Sequence, residues 1–126
     1  MLFRSSKNYP LSMSLEGMES LALQFPNEIL LFAVKDKNQL VASSICIRLN
    51  EKVLYDFYHD HDPHYNTYSP IVLLVKGIND FCYQNRIPLI DLGTSMINGE
   101  INVGLNEFKM KLGGRHAVKY SFDKIL

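Results

Sequence analysis

The sequence predicts a mixed α/β domain: a three-strand antiparallel meander, then a helix–strand–helix–strand unit whose central strands pair in parallel. Three observations predict it. Residues 28–59 hold three apolar, strand-like runs joined by turns too short for anything but antiparallel neighbours. Ile71, Leu74, Val75, Ile78 and Cys82, with Phe81 beside them, recur at helical spacing behind Ser69-Pro70. A strand–helix–strand order from Lys52 to Leu92 returns the chain to the sheet in the same direction.

With 126 residues the chain fits one domain, residues 1–126, with residues 1–10 as a loose leading segment up to Pro10. Ser12 or Ser14 then offers a cap for a helix carrying Leu15, Met18, Leu21 and Ala22, and Pro26 stops it. Residues 28–35 form the first strand and Asp36-Lys37-Asn38-Gln39 its turn. Residues 40–49 form the second, Asn50-Glu51 the next turn, and residues 52–59 an aromatic, alternating third. Residues 61–68 read as a polar, aromatic loop, and Ser69 as the N-cap of the helix that ends near Asn85-Arg86. A short buried strand follows at 87–92, a flexible loop at 93–99, and a helix at 102–112 with Leu105, Phe108 and Leu112 inward. Gly113-Gly114 closes that helix, and residues 115–122 alternate as a final strand.

Thirteen basic residues balance thirteen acidic ones. That argues against nucleic acid as the main partner, because phosphate binding wants a basic surplus. It also lowers self-repulsion between copies, so a homodimer is compatible with the composition. Cys46 and Cys82 lie in apolar runs outside any Cys-x-x-Cys motif, as reduced thiols of a cytoplasmic protein would. The first residues are too polar for a signal peptide, and no apolar run approaches the roughly 20 residues of a membrane span.

Several motifs together resemble the GCN5-related N-acetyltransferase (GNAT) superfamily in its FemAB-like branch of acyl- and aminoacyl-transferases. Tyr68-Ser69-Pro70 opens the long helix, Ile90-Asp91-Leu92-Gly93-Thr94-Ser95 ends the short strand, and Phe108-Lys109-Met110-Lys111-Leu112-Gly113 lies in the last helix. The branch has a serine-led helix, a strand ending in Asp-Leu-Gly, and a helix with Phe-Lys-x-x-aromatic-Gly; here Leu112 replaces the aromatic residue. The likeness covers about residues 28–122 and corresponds to the second of the two GNAT halves in FemAB-like chains. Acetyl-CoA-using members typically carry a Gly-rich loop where this chain has residues 61–68, which contain no glycine.

The resemblance implies an N-acyltransferase moving an acyl or aminoacyl group onto an amine by direct attack. Its donor would be acyl-CoA, an acyl-carrier protein or charged tRNA, as a cosubstrate rather than a tightly bound cofactor. In such a sheet the parallel pair splays beyond Tyr58 and Ile90, and the donor enters the gap. Asp91, Lys109 and Tyr68 form the expected catalytic set. Tyr58, His59, Tyr65, Asn66, Ser69 and Thr94 form the expected donor-binding set.

Each candidate has a plainer alternative. Asp91 is either a base or donor-orienting group, or the cap of the Gly93-Thr94-Ser95 turn. Lys109 either meets negative charge on the donor side, or is a surface lysine that the helix dipole favours. Tyr65, Tyr68 and Tyr120 all qualify as a general acid to the leaving group. Ser44 and Ser69 have no visible His–Asp arrangement, which argues against a serine nucleophile. His59-Asp60-His61-Asp62-Pro63-His64 packs three imidazoles and two carboxylates into six residues, and zinc would suit such donors. It resembles the His-x-His-x-Asp-His motif of metallo-β-lactamase-like hydrolases, but Pro63 occupies the aspartate position, so no metal site is expected; the stretch is either a solvated strand end and loop or the lining of a ligand cleft, where a histidine can take a proton from an amine near neutral pH. The alternatives to an enzyme are a non-catalytic half-domain for binding or dimerisation and, third, a small metal-binding protein.

Overall fold

The computed structural model describes residues 13–126. The leading segment 1–10 and Ser12 lie outside the described residues. Helix α1 spans Leu15–Gln24, and its cap is Ser14, whose side chain accepts from the Gly17 N–H. Met18 is its buried residue, and the Phe25 N–H closes the last turn on the Leu21 carbonyl before Pro26.

Strands β1 (Ile29–Asp36), β2 (Gln39–Arg48) and β3 (Val53–His61) form the expected meander, β1–β2 and β2–β3 both antiparallel. The Asn50 side chain accepts from the Lys52 N–H and shapes the second turn. Helix α2 (Pro70–Gln84) carries the chain back to β4 (Leu89–Asp91), which pairs with β3 in parallel. The sheet order is β1-β2-β3-β4. Helix α2 packs against all four strands through Ile71, Leu74, Ile78 and Cys82, with the Phe81 ring edge-on to Phe32 at 5.3 Å. Leu54, Ile78, Cys46 and Ala42 form the most buried part of this core. Among the described residues no helix is long and apolar enough to cross a membrane.

The chain divides into two compact units, one ending at Gly93 and the other spanning Thr94–Leu126. In the second, the expected loop at 93–99 is in part a hairpin, β5 (Met96–Ile97) and β6 (Glu100–Ile101). Asn98 and Gly99 turn it with φ of 51° and 80°, the left-handed pair that a two-residue hairpin needs. Helix α3 (Val103–Lys111) follows, capped by Asn102, whose side chain accepts from the Leu105 N–H. Gly113, at φ 93°, ends it.

Two further expectations are corrected. Residues 63–68 form a 3-10 helix rather than a loop, started by the Asp62 side chain accepting from the His64 N–H. Residues 115–122 form no strand: alternation supplies a face preference, but a strand needs a neighbour for its backbone groups, and here no ladder includes them.

Candidate active site

The far half of β3 departs from a regular strand. Ile45 pairs with Tyr58 and Cys46 with Asp56, so Phe57 is an extra residue without an opposite number on β2. In a regular strand, residues three apart face opposite sides. A one-residue bulge cancels that rule and puts Asp56 and His59 on the same face. It is the α2 face: Phe32, which meets Phe81 of α2, pairs directly with Ser44, and Ser44 and Cys46 are two apart on β2.

A hydrogen-bonded chain results. The Ser44 Oγ–H donates to Asp56 Oδ1 at 2.6 Å, and His59 Nδ1 meets Asp56 Oδ2 at 2.8 Å. Asp56 has 1% of its side chain exposed and His59 27%. An ionised carboxylate only accepts, so the Nδ1 atom of His59 carries its proton toward Asp56. Ser44 spends its one proton on Asp56, and the Cys46 thiol, 3.4 Å away, donates to the serine oxygen. Burial pushes the Cys46 thiol up to about 12, against a smaller lowering from Ser44, so it stays neutral as that donor requires.

A serine, an aspartate and a histidine therefore do come together, contrary to the expectation that Ser44 lacks such partners. The order differs from a nucleophilic triad. Asp56 sits between the other two, and Ser44 is 1% exposed with its proton turned to the carboxylate. Asp56 and Cys46 had no place among the expected site residues. One signal for Asp56 is in the sequence, since it stands two residues from Leu54 on the inward side of an apolar strand, where a carboxylate must find donors.

The histidine-rich stretch spreads to separate partners. His59 meets Asp56, the His61 Nε2 atom meets Asn66 Oδ1 at 2.6 Å, and His64 Nδ1 meets Asp62 Oδ1 at 2.8 Å. Among the described residues no three His, Cys, Asp or Glu side chains gather as metal ligands. The His64 backbone N–H, and then its ring, hold the Asp62 carboxyl below the usual carboxylate range. Tyr65 donates to Asp36 Oδ2 at 3.0 Å, which pushes its hydroxyl above the usual tyrosine value. Tyr68 is exposed with its ring 6.2 Å from that of Tyr65, whereas Tyr58 is buried beside Phe57. Ser69 stands at the N-cap position of α2, but it is left-handed at φ 50° and its side chain makes no capping bond, contrary to the expected serine cap.

The parallel ladder is short. Val53, Leu54 and Tyr55 pair with Leu89, Ile90 and Asp91, and β4 ends there while β3 runs on through His61. The Asp91 Oδ1 atom accepts from the Gly93 N–H at 2.8 Å, the turn-capping alternative for this residue. Gly93 has φ of 77°, and a side chain there would stand 3.4 Å from the Tyr55 ring. In the second unit, Lys109 Nζ donates to the Thr94 carbonyl at 2.9 Å, so this lysine holds the start of its own unit.

A family model described as an acetyltransferase (GNAT) domain matches residues 12–110. Among solved structures, the fold is similar to that of the aminoglycoside antibiotic 6'-N-acetyltransferase AAC(6')-IG from Acinetobacter haemolyticus. That match has a TM-score of 0.68 at 15% identity and covers 98% of this chain and 90% of that one. The aminoglycoside antibiotic 6'-N-acetyltransferase AAC(6')-Ih from Acinetobacter baumannii matches with a TM-score of 0.63 at 15% identity, over 94% and 84% of the two chains. No curated protein matches.

Proposed function

This chain belongs to the acetyltransferase (GNAT) domain family, and we propose that it transfers an acyl group from a thioester to an amine by direct attack. The observation that carries this reading is the ending of the β3–β4 ladder at Tyr55↔Asp91 while β3 continues to His61. In our reading the acyl arm of the donor lies along β3 beyond that point. The strand edge there supplies backbone N–H and C=O groups at the spacing an extended amide-bearing arm can use. Tyr65, Asn66 and Ser69, between β3 and α2, form the donor-facing stretch of the same unit, and Tyr68 remains the candidate acid to the leaving group. Asp91 orients the donor through the turn it caps.

The donor we favour is acyl-CoA, used as a cosubstrate in the cytoplasm, with an aminoacyl ester on tRNA as the alternative that the FemAB-like motifs support. The acceptor is a primary amine, and the acceptors named for the structural neighbours make an aminoglycoside a sensible member of a test panel. A homodimer is the assembly we propose.

The test uses the full chain. Acetyl-CoA at a hundredfold excess over its Kd should stabilise the protein by about 2.7 kcal/mol, seen as a raised melting temperature. CoA release should then appear with at least one amine of a panel of polyamines, amino sugars and peptide amines. Neither stabilisation by any acyl-CoA nor transfer to any amine would leave a non-catalytic module as the better account. Light scattering on the same sample reads the number of copies.

A further inference from the structure

We propose that His59 is the general base that takes the proton from the acceptor amine, with Asp56 and Ser44 as the residues that position it; this rests on the acyl-transfer reading above.

Asp56 is an expensive residue to keep where it is. Its side chain is 1% exposed on the face that packs under α2, where an apolar residue of similar size would serve packing as well or better. The fold also accepts a bulge at Phe57, which interrupts the β2–β3 ladder. Both features converge on one result: a buried carboxylate gripping one nitrogen of an imidazole with about a quarter of its side chain exposed. Ser44, bonded to the other carboxylate oxygen at 2.6 Å, fixes the plane of the group.

That grip decides which ring nitrogen can act. With the proton on Nδ1, the Nε2 atom is the basic one. When Nε2 gains a proton, the imidazolium lies 2.8 Å from a carboxylate that is already dehydrated and oriented, so little reorganisation is needed. His59 also stands on the part of β3 past the last β4 pair, where the donor arm is proposed to lie. His61 Nε2 meets the amide oxygen of Asn66, and His64, with 91% of its side chain exposed, meets Asp62.

The step balances as follows. The amine nitrogen forms a bond to the thioester carbonyl carbon and gives one proton to His59 Nε2. The C–S bond breaks, and the thiolate leaves with its electron pair and takes a proton from solvent. His59 returns its proton to solvent, leaving amide and free thiol.

The test is His59→Gln in the full chain, with acetyl-CoA and the amine that the wild type accepts. Glutamine can still donate to Asp56 but is no base. The expected result is a loss of about 10²–10³ in kcat/KM for the amine, carried by kcat. The acetyl-CoA Kd is read alongside: a raised Kd with kcat unchanged would leave His59 only the donor-binding role expected from the sequence and overturn the base. Added imidazole should restore part of the rate to His59→Gly, which a purely structural histidine would not allow. Asp56→Asn should lower kcat and remove the neutral Nδ1–H form of His59 from the ring nitrogen spectrum. A His59→Gln rate within about threefold of wild type overturns the base and leaves acyl transfer standing. A wild type that transfers to no amine overturns both together.

Discussion

Among the described residues, every buried apolar side chain apart from Met18 lies between Val41 and Ile87, whereas from Thr94 to Leu126 none is buried. The first region is held by burial: Leu54, Cys46 and Ile78 are closed off between the sheet and α2. The second is held by local hydrogen bonds, namely the Asn98-Gly99 turn, the Asn102 cap, the Lys109 bond to Thr94 and the His116 Nε2–H bond to Asn106. Burial of a Leu or Ile side chain stabilises by about 1.5–3 kcal/mol, a local hydrogen bond by about 0.5–1.5 kcal/mol. The residues proposed to handle protons sit in the first region, where a carboxylate can be dehydrated and fixed.

Thiol labelling separates the two regions most widely. Cys46 is fully buried, and its raised value leaves almost no thiolate near pH 8, the form that reacts. A cysteine placed at Val118, which is 77% exposed, should react with a disulfide reagent at the rate of an unfolded peptide. Native Cys46 should be slower by about a thousandfold or more, because labelling waits on an opening of the core. Similar rates at the two positions would erase the distinction.

Side-chain truncation gives the next largest contrast. Leu54→Ala should cost about 2–5 kcal/mol in urea unfolding, because it leaves a cavity where nothing is exposed. Tyr120→Ala, at 79% exposure, should stay within about 0.5 kcal/mol. If Tyr120→Ala proved as damaging as Leu54→Ala, the tail would have a partner in solution, and a second copy would be the first to seek.

The same contrast explains what could be read in advance. The α2 stripe, the three antiparallel strands and the parallel return are encoded by periodicity and turn residues within one segment, and they stand with ends shifted by a residue or two. The Asn98-Gly99 hairpin was missed and read as loop: Asn-Gly favours a two-residue turn, but flanks of two residues each are too short for periodicity to reveal. The strand expected at 115–122 was a misreading of alternation without a ladder partner. The pairing of Asp56 with His59 was not legible at all. Three residues apart on a strand, they belong on opposite faces until β2 imposes the bulge at Phe57, and that register is a property of two strands together.

The smallest effect tests whether the second region rests on its caps. In α3 the Asn102 side chain accepts from the Leu105 N–H at 3.1 Å, satisfying one of the four N–H groups that a helix start leaves without partners. No residue of α3 is buried, so packing offers it little compensation. Asn102→Ala should therefore cost about 1 kcal/mol, and Asn102→Asp should keep the stability or raise it, since a carboxylate accepts the same bond and suits the positive end of the helix. The measurement is amide exchange along residues 103–111, where the alanine variant should lose about fivefold protection while the amides of β2 and β3 keep theirs. Equal loss in both regions would mean that the two fold as one cooperative unit, and the division between a buried core and a hydrogen-bonded tail would then describe only their contacts, not their energetics.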